Sequence, residues 1–477
     1  MTKSGHTLLT ALLAAGLLSA CSLAPTWQRP AAPVAATWPE ASAADSAADG
    51  KAAVDTGWRD YFADARLQQL IAAALEHNRD LRTAALRMEE ARAQYNIQSA
   101  DRLPNVNASV ADTRAKTPAF LTSSGQSTIG KRYDAGLSMP AFELDFFGRV
   151  KSLNDAALAA YLATDEARQA AQIGLVADVA KAYYTERAYA EQYALAQQTF
   201  ETRQRTYALT RQRVDAGASS RLDLRTNETL METARAAALT LARQRAQAEN
   251  ALTLLVGQPP APVAANAANA SGALAGDAQI DAMSALPAGL PSDLLTRRPD
   301  IRAAEQRLKS ANANIGAARA AFFPRVSLTA AVGSSSPSLG GLFDSGSGSW
   351  SFAPQLVLPI FDAGRNRANL TLSEVRKNLA VADYEKTIQS AFREVADALA
   401  ARSYLGDQVA AQRTIQDAQA DRLQLLELRF ANGVASSLDV LDAQRELFAS
   451  QQALVQARLL RATSAIDLYR ALGGGLK

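Results

Sequence analysis

Apolar and small residues recur at steps of three and four along two very long stretches of the chain, and Gln, Arg and Glu fill the positions between them. In the first stretch the pattern is carried by Leu158, Leu162, Ile173, Val176, Ala180 and Tyr184. Such spacing predicts helices that pack against similar helices. Proline is absent between Pro140 and Pro259 and after Pro359. A helix over about residues 148–216 would be on the order of 100 Å long, which no compact globular domain needs.

Shorter segments ahead of each long stretch alternate between apolar and polar residues with a period of two. One face of the earlier segment carries Tyr133, Ala135, Leu137 and Met139, and one face of a later segment carries Trp350, Phe352, Leu356 and Leu358. This alternation predicts strands at about residues 105–113, 132–144, 326–333 and 350–360. Ser, Thr and Gly enrich residues 114–131 and 334–349, which predicts loops there. Each half of the chain therefore contributes one β-hairpin.

The chain contains two copies of one unit, spaced by about 216 to 220 residues. The copies match at Arg102–Val106 and Phe322–Val326, at Asp80–Arg82 and Asp300–Arg302, and at Gly217–Asp223 and Gly433–Asp439. Each copy holds a helix, two extended segments around a loop, a Gly-Arg pair and a long helix-turn-helix. We predict a first repeat over residues 67–257, a linker over 258–291, a second repeat over 292–473 and a tail over 474–477.

Four strands cannot close a barrel, and an open sheet edge leaves backbone groups unsatisfied in lipid. No segment after the N-terminus has eighteen consecutive apolar residues, so a membrane crossing by this chain would use a barrel. Closed membrane barrels have at least about eight strands, so the chain must oligomerise as a dimer or a larger assembly. The residues alone do not choose among these.

Residues 1–20 have the pattern of a secretory signal, with Lys3 ahead of an apolar run from Leu8 to Leu18. Leu18-Ser19-Ala20-Cys21 resembles a lipoprotein processing site, where cleavage would free the amino group of Cys21. The Cys21 sulfur would carry a diacylglycerol, and the amino group would carry an acyl chain such as palmitate. Cys21 is the only cysteine of the chain. Ser22 follows it, and in lipoproteins Asp at that place favours the inner membrane, so we expect the lipid anchor to lie in the outer membrane. We predict that residues 21–66 form a lipid-anchored N-terminal segment and an equatorial region.

Composition excludes several functional classes. The formal net charge is only +3, so no broad basic surface predicts nucleic-acid binding. One cysteine and two histidines exclude disulfides, thiolate zinc sites and histidine-based triads. Carboxylate chemistry remains conceivable, but the acids repeat at helix starts and do not converge on a cleft. A structural tether would need the long helices but not the alternating strands. We therefore expect no catalytic residue, no metal and no cofactor besides the lipid on Cys21.

These features occur together in one family. The most specific passages are Cys21–Pro25 with Trp27, Arg29 and Pro30; Pro291–Leu295 with Arg298–Ile301 and Ala304-Glu305; and Phe146–Arg149 with its second-half relative Phe361–Arg365. In these passages the chain resembles an outer membrane factor of the TolC/OprM type, in the lipoprotein branch that serves resistance-nodulation-division pumps. The resemblance implies a mainly α-helical homotrimer with coiled-coil helices, in which a 12-stranded transmembrane β-barrel continues into an α-helical barrel.

The same resemblance implies the function. The chain would be the outer-membrane exit channel of a tripartite efflux pump in a Gram-negative bacterium, and it would extend into the periplasm. Its partners would be a periplasmic adaptor and an inner-membrane proton-driven transporter, and its substrates would be drugs and other amphiphilic small molecules, with multidrug resistance as the outcome. Type I protein secretion is an alternative, although Cys21 and the Arg-Pro-Asp passage argue against it. Export of monovalent metal is another, although only five methionines occur, without a cluster.

Each long helix-turn-helix turns at a glycine, Gly217 or Gly433. Glycine there is first a turn residue that can adopt φ > 0. The resemblance adds a second role, because members of the family dock the adaptor against these turns. Ser220 with Asp223 and Ser436 with Asp439 have capping-box spacing, which makes both acids candidates for helix starts.

Asp442 lies beyond the positions that cap a helix, and its counterpart in the first repeat is Thr226. The repeat therefore does not require an acid there. The resemblance places an acidic ring at the closed end of the tunnel in this part of the chain. Leu438 matches the apolar constriction, and Arg445 follows Asp442 by three residues. The predicted periplasmic gate consists of Leu438, Asp439, Asp442 and Arg445.

Overall fold

The computed structural model of the chain describes residues 22–38, 52–123, 125–259, 277–287, 289 and 291–476. The predicted signal sequence, residues 1–20, and Cys21 lie outside them. The described residues form two compact units. The sheet unit contains residues 22–31, 87–164 and 303–384, and the hairpin unit contains the other described residues.

The sheet unit contains four antiparallel strands in the order β1-β2-β3-β4. They are β1 (Asn107–Thr117), β2 (Thr128–Leu144), β3 (Arg325–Ser336) and β4 (Gly348–Val357). Leu137 lies opposite Val332, and Val332 lies opposite Trp350. Because directly opposed residues share a face, these apolar side chains share one face, as the period of two predicted. The other face carries Ser, Thr, Gly and Ala at most positions, as in the opposed trio Ser138, Ala331 and Ser351.

The strands differ in extent from the predicted segments. The β1–β2 ladder continues through Arg114–Lys131 to Thr117–Thr128, so part of the predicted loop is strand. Polar side chains do not prevent pairing, because the ladder consists of backbone hydrogen bonds. β4 ends at Val357, two residues before Pro359, which has no N–H to donate. In β2 a bulge shifts the register between Met139 and Phe142, around Pro140, and φ of Ala141 is 41°.

Helices form most of the remaining described chain. In chain order they are α1 (Trp58–Tyr61), α2 (Ala65–His77), α3 (Arg79–Ala100), α4 (Arg149–Asp215), α5 (Arg221–Val256), α6 (Asp277–Ser284), α7 (Pro291–Arg297), α8 (Pro299–Ala320), α9 (Arg365–Ala431) and α10 (Ser437–Ala471). α4 and α9 have 67 residues each, which confirms the predicted long helices. Within the described ranges, no helix combines the length and the apolar character that a membrane span requires.

Equivalent hydrogen bonds hold the C-terminal ends of the two long helical hairpins, α4–α5 and α9–α10. Asn78, just before α3, donates from Nδ2 to the carbonyl of Leu255 at 2.8 Å. Its counterpart Arg298, just before α8, donates from Nη1 to the carbonyl of Ala471 at 3.0 Å. Each contact joins the last turn of a hairpin to the start of a helix in the same repeat. The repeat seen in the sequence is therefore also a repeat of tertiary contacts.

Aromatic residues form the core beside these junctions. The rings of Tyr61 and Tyr469 stack with centroids 4.0 Å apart, and Phe62 packs edge-on against both. The Tyr61 hydroxyl is a hydrogen-bond donor that lies 3.0 Å from the carbonyl oxygen of Met283 and 2.8 Å from that of Ala465. Burial raises the pKa of Tyr61 well above its ordinary value, and the neighbouring Tyr469 adds to this. The phenol stays protonated and joins three segments of the hairpin unit.

In the sheet unit an extended segment, residues 22–31, lies along α8. We call this segment the N-terminal strap. Its contacts step down the helix in the opposite direction: Leu23 with Arg319, Ala24 with Gly316, Pro25 with Asn312, Trp27 with Lys309 and Arg29 with Glu305. The Arg29–Glu305 pair is 2.9 Å long, and the Glu305 side chain is almost fully buried. A Cβ on Gly316 would come within 2.8 Å of Ala24, so glycine there makes room for the strap.

Candidate functional site

The turns of the two hairpins have the same backbone. φ is 73° at Gly217 and 71° at Gly433. In each turn the glycine N–H donates three residues back, and the next N–H donates five residues back, to Arg213 at 2.7 Å in the first and to Arg429 at 2.9 Å in the second. A Cβ on either glycine would meet no heavy atom within 4 Å. Glycine is thus favoured by its φ and not by crowding within the chain.

Both returning helices start with a complete capping box. Asp223 accepts from the hydroxyl of Ser220 at 2.7 Å, and Asp439 accepts from the hydroxyl of Ser436 at 2.8 Å. The hydrogen bonds from Ser220 lower the pKa of Asp223. Those from Ser436, helped by the charges of nearby arginines, likewise lower the pKa of Asp439. The helix-start interpretation of both acids therefore agrees with the geometry, and the Asp439 carboxylate is occupied by its own cap.

Asp442 has a different environment. Its two carboxylate oxygens accept from two arginines, from Arg445 Nη2 at 2.6 Å and from Arg422 Nη2 at 3.2 Å. Arg422 belongs to α9, whereas Asp442 and Arg445 belong to α10. Asp442 therefore joins the two helices of the second hairpin near its turn. Arg445 also lies 3.3 Å from Glu446, which extends the network by one acid.

The first hairpin has threonines at the three corresponding positions. Thr206, Thr226 and Thr229 stand 216 residues before Arg422, Asp442 and Arg445. Each threonine hydroxyl donates to the carbonyl four residues earlier in its own helix, at 3.0 to 3.1 Å. None of these three side-chain bonds crosses between helices. At these positions, among the described residues, only the second hairpin has a charged link between its helices, formed by Arg422, Asp442 and Arg445, and we call it the charged link.

The first hairpin is joined near the same level by Arg203 of α4. This side chain is almost fully buried, and its Nη1 donates to the carbonyl of Leu230 in α5 at 3.0 Å. Burial and the charge of Arg445 lower the pKa of the Arg203 guanidinium. Arg203 is thus close enough to Arg445 to feel its charge, while Arg445 and Arg422 pair with Asp442.

The structure brings together some of the predicted gate residues but not all. Asp442 and Arg445 form an ion pair, Asp439 serves the cap, and Leu438 is 67% exposed in the first turn of α10. Sequence reasoning missed Arg422, which is twenty residues from Asp442. Its signal was available, because the repeat pairs Arg422 with Thr206 and thereby breaks its symmetry at another position in the hairpin.

The family model described as "Outer membrane efflux protein" matches residues 70–258 and 290–474. The chain belongs to the outer membrane efflux protein family. The toluene efflux pump outer membrane protein TtgC of Pseudomonas putida is 48% identical to it over 477 residues, which are 100% of this chain and 96% of that protein. The antibiotic efflux pump outer membrane protein ArpC of Pseudomonas putida is likewise 48% identical over 477 residues, with the same coverage of both.

Solved structures agree with this membership. The open state of the MtrE outer membrane channel of Neisseria gonorrhoeae superposes with a TM-score of 0.84 at 43% identity, over 96% of this chain and 99% of that one. The predicted family and the predicted fold, mainly α-helical with four strands from two repeats, are confirmed. Membership also confirms an efflux role in the outer membrane of a Gram-negative bacterium, as a channel and not as an enzyme.

Proposed function

We propose that this efflux channel passes drugs and other amphiphilic small molecules to the exterior. The observation that supports this proposal is the similarity to two relatives that are each 48% identical to the whole chain. One is the outer membrane protein of a toluene efflux pump, and the other is that of an antibiotic efflux pump. The apolar face of the sheet suits contact with lipid, and the face of small and polar residues suits a water-filled lumen.

The channel works as a homotrimer, with a periplasmic adaptor and an inner-membrane proton-driven transporter as partners. Support for oligomerisation comes from the sheet, whose edge strands β1 and β4 have no further strand beside them among the described residues. Three copies would supply twelve strands, and a closed barrel of that size has no unpaired edge.

Deletion and complementation test the function. A strain without the gene should become sensitive to antibiotics and to toluene, and the wild-type chain should restore resistance. The purified protein should form ion-conducting channels in planar bilayers. A channel that conducts but restores no resistance would reject the substrate class, whereas absence of conductance would reject the conduit itself.

We further propose that the charged link at the second turn is part of the periplasmic gate, with Leu438, Asp439, Asp442 and Arg445 as its residues. Asp442 holds α9 to α10 through Arg422, so the link favours one position of the second hairpin. Three copies around an axis would give a ring of carboxylates that attracts cations and repels anions. The constriction role of Leu438 is supported by its exposure, because an exposed leucine can contact a second copy.

The glycine turns are the proposed docking positions for the adaptor. Space is open around Gly217 and Gly433, and their missing side chains let another backbone approach closely. The test is site-specific crosslinking from residues beside each turn to the adaptor in intact cells. Crosslinks in the wild type that disappear when the glycine is replaced by arginine support docking, and unchanged crosslinks with lost export contradict it.

Lipidation of Cys21 is also a proposal. Its support is the processing-site resemblance at residues 18–21, together with the family's membership in the outer membrane. Cells fed labelled palmitate should label the wild type, and Cys21→Ser should abolish the label while barrel insertion survives, because the apolar face of the sheet supplies its own contact with lipid. A wild-type protein without label would reject the lipid anchor.

A further inference from the structure

The edge strands β1 and β4 carry enough information to predict how two copies of the chain pair. Each hairpin is complete within the chain, and β2 of the first hairpin is joined to β3 of the second along a long ladder. If the repeats are equivalent, β4 of the second hairpin should join β1 of a first hairpin in the same manner. In the described chain that first hairpin can only belong to another copy, because β1 and β4 are the two outer strands.

The offset between β1 and β3 follows from the turns that lead into them. The N–H of Arg102 donates to Ser99 at 3.2 Å, and the N–H of Phe322 donates to Arg319 at 3.2 Å. The next bonds, from Leu103 and from Phe323, are also identical in length. A residue of β1 therefore corresponds to the residue 220 positions later in β3.

The offset between β2 and β4 follows from the registers of the two hairpins. Asn107 of β1 lies opposite Ser138. The β3 equivalent of Asn107 is Ser327, and it lies opposite Gln355. Ser138 therefore corresponds to Gln355, 217 positions later.

We infer that β4 of one copy pairs antiparallel with β1 of a second copy in one register, with Ser351 opposite Ala115 and Gln355 opposite Ala111. The inference rests on the proposed trimer and specifies its seam. It follows by transferring two pairs of the β2–β3 ladder, Asp134 with Ser335 and Ser138 with Ala331, through the two offsets.

The chemistry of the apolar face supports this register. Leu356 falls opposite Val110, and both side chains are exposed in the single chain. Trp350 falls opposite Lys116, and Phe352 falls opposite Arg114. Such cation and aromatic pairs are favourable at a membrane surface.

Other registers are less favourable. A shift of one residue would bring the apolar face of one copy beside the polar face of the next, which a sheet with one buried face does not tolerate. A shift of two residues would place Asp112 opposite Phe352 in one direction and opposite Leu356 in the other. In the inferred register Asp112 instead lies opposite Pro354.

Cysteine crosslinking in the intact outer membrane tests the register with four positions. Ser351→Cys with Ala115→Cys, and Gln355→Cys with Ala111→Cys, should form disulfides on mild oxidation. The monomer band should be lost, and covalent dimers and trimers should appear on a non-reducing denaturing gel. The swapped combinations, Ser351→Cys with Ala111→Cys and Gln355→Cys with Ala115→Cys, use the same residues four positions out of register. Those Cα atoms would be roughly 13 Å farther apart along the strand, beyond the reach of a disulfide.

The four single-cysteine variants control for links through Cys21, and restored drug resistance shows that each variant assembles. A third set, Ser351→Cys combined with Thr113→Cys or Thr117→Cys, reports a shift of two. Preferential linking in a swapped or shifted combination would overturn the inferred register while leaving the trimer in place. Absence of a link in every combination would overturn the seam between copies and, with it, the proposed trimer.

Discussion

The two helical hairpins share a backbone but differ in their chemistry. Their turns have nearly identical φ values, 73° and 71°, and the same capping box starts α5 and α10. Three threonines of the first hairpin bond to their own helices, whereas the residues at the same places in the second hairpin form a charged link between helices. The glycine, serine and aspartate that the turn geometry uses are the same in both hairpins. Residues that the turn geometry does not use differ between them.

The comparison distinguishes the role of Asp439 from that of Asp442. Asp439 has an equivalent in Asp223, and both are explained by their caps. Asp442 has only Thr226 as its counterpart, so no shared structural need accounts for its charge. Within the proposed gate, we therefore expect Asp442 to contribute most and Asp439 to contribute to the local field.

The largest effect is expected from placing a bulky side chain at either glycine turn. Gly433→Arg and Gly217→Arg should each remove most drug resistance while leaving trimers intact, because a bulky side chain blocks the adaptor. Part of any loss will come from the left-handed φ, which costs a side chain roughly 1–2 kcal/mol. Gly433→Asn and Gly217→Asn are the matched controls, because asparagine tolerates this φ and is small. Equal resistance in the arginine and asparagine variants would show that docking does not use the turn.

A smaller effect is expected from making the second hairpin resemble the first. Asp442→Thr should weaken cation preference and raise the leak of the closed channel several-fold, since partly exposed ion pairs contribute on the order of 0.2–1 kcal/mol each. The double variant Asp439→Ala with Asp442→Ala should exceed it. Reversal potential across a salt gradient, leak conductance and sensitivity to large antibiotics measure these changes.

Thr226→Ala in the first hairpin is the control for Asp442→Thr and should leave selectivity and leak unchanged. If the double variant keeps the selectivity and leak of the wild type, both aspartates are structural and the gate assignment is wrong.

Loss of a cap should affect both hairpins alike. Ser220→Ala and Ser436→Ala should each lower the local stability of the helix start by about 1 kcal/mol, the usual cost of losing an N-cap side chain. Hydrogen exchange of the amides in the first turns of α5 and α10 measures this. A clearly larger loss in the second hairpin would mean that its cap also supports the charged link.

The smallest effect is expected from acid. The folded-state pKa values of Asp223 and Asp439 lie below the ordinary 3.8. Their carboxylates therefore stabilise the folded turns above that pH, and this contribution is lost as pH falls through the lowered values. Amide protection at both helix starts should decline together below about pH 4. A variant with Asp223→Asn and Asp439→Asn should lack this dependence, and an unchanged dependence there would assign it to other groups.

The sequence predicted the parts of the fold that repeat with a clear period. The long helices followed from steps of three and four without proline, and the strands followed from alternation at residues such as Leu137 and Trp350. Strand ends were less predictable, because Arg114 and Thr128 pair through their backbones whatever their side chains. The N-terminal strap has no hydrophobic periodicity and forms few hydrogen bonds within itself. Its position along α8 therefore could not be predicted from local sequence.

The candidate site was predictable in the same uneven way. Glycine turns and capping boxes are local signals, and residues 217, 223, 433 and 439 all have the expected geometry. The partner of Asp442 was not local, because Arg422 reaches it only once α9 and α10 are set in register. Residue spacing does not show which faces of α9 and α10 meet after the turn, and this information was missing.

The strap determines how a force on the N-terminus would be carried. Its contacts with α8 run in reverse order, from Leu23 beside Arg319 to Arg29 beside Glu305. A pull on Ser22 directed along the helix, away from Glu305, loads these contacts side by side in shear instead of opening them one after another. The Ala24–Gly316 contact and the Arg29–Glu305 pair must then slide together. A membrane tether placed just before Ser22 would therefore transmit its tension to α8 as a whole, and a pull across the helix would peel the strap away far more easily.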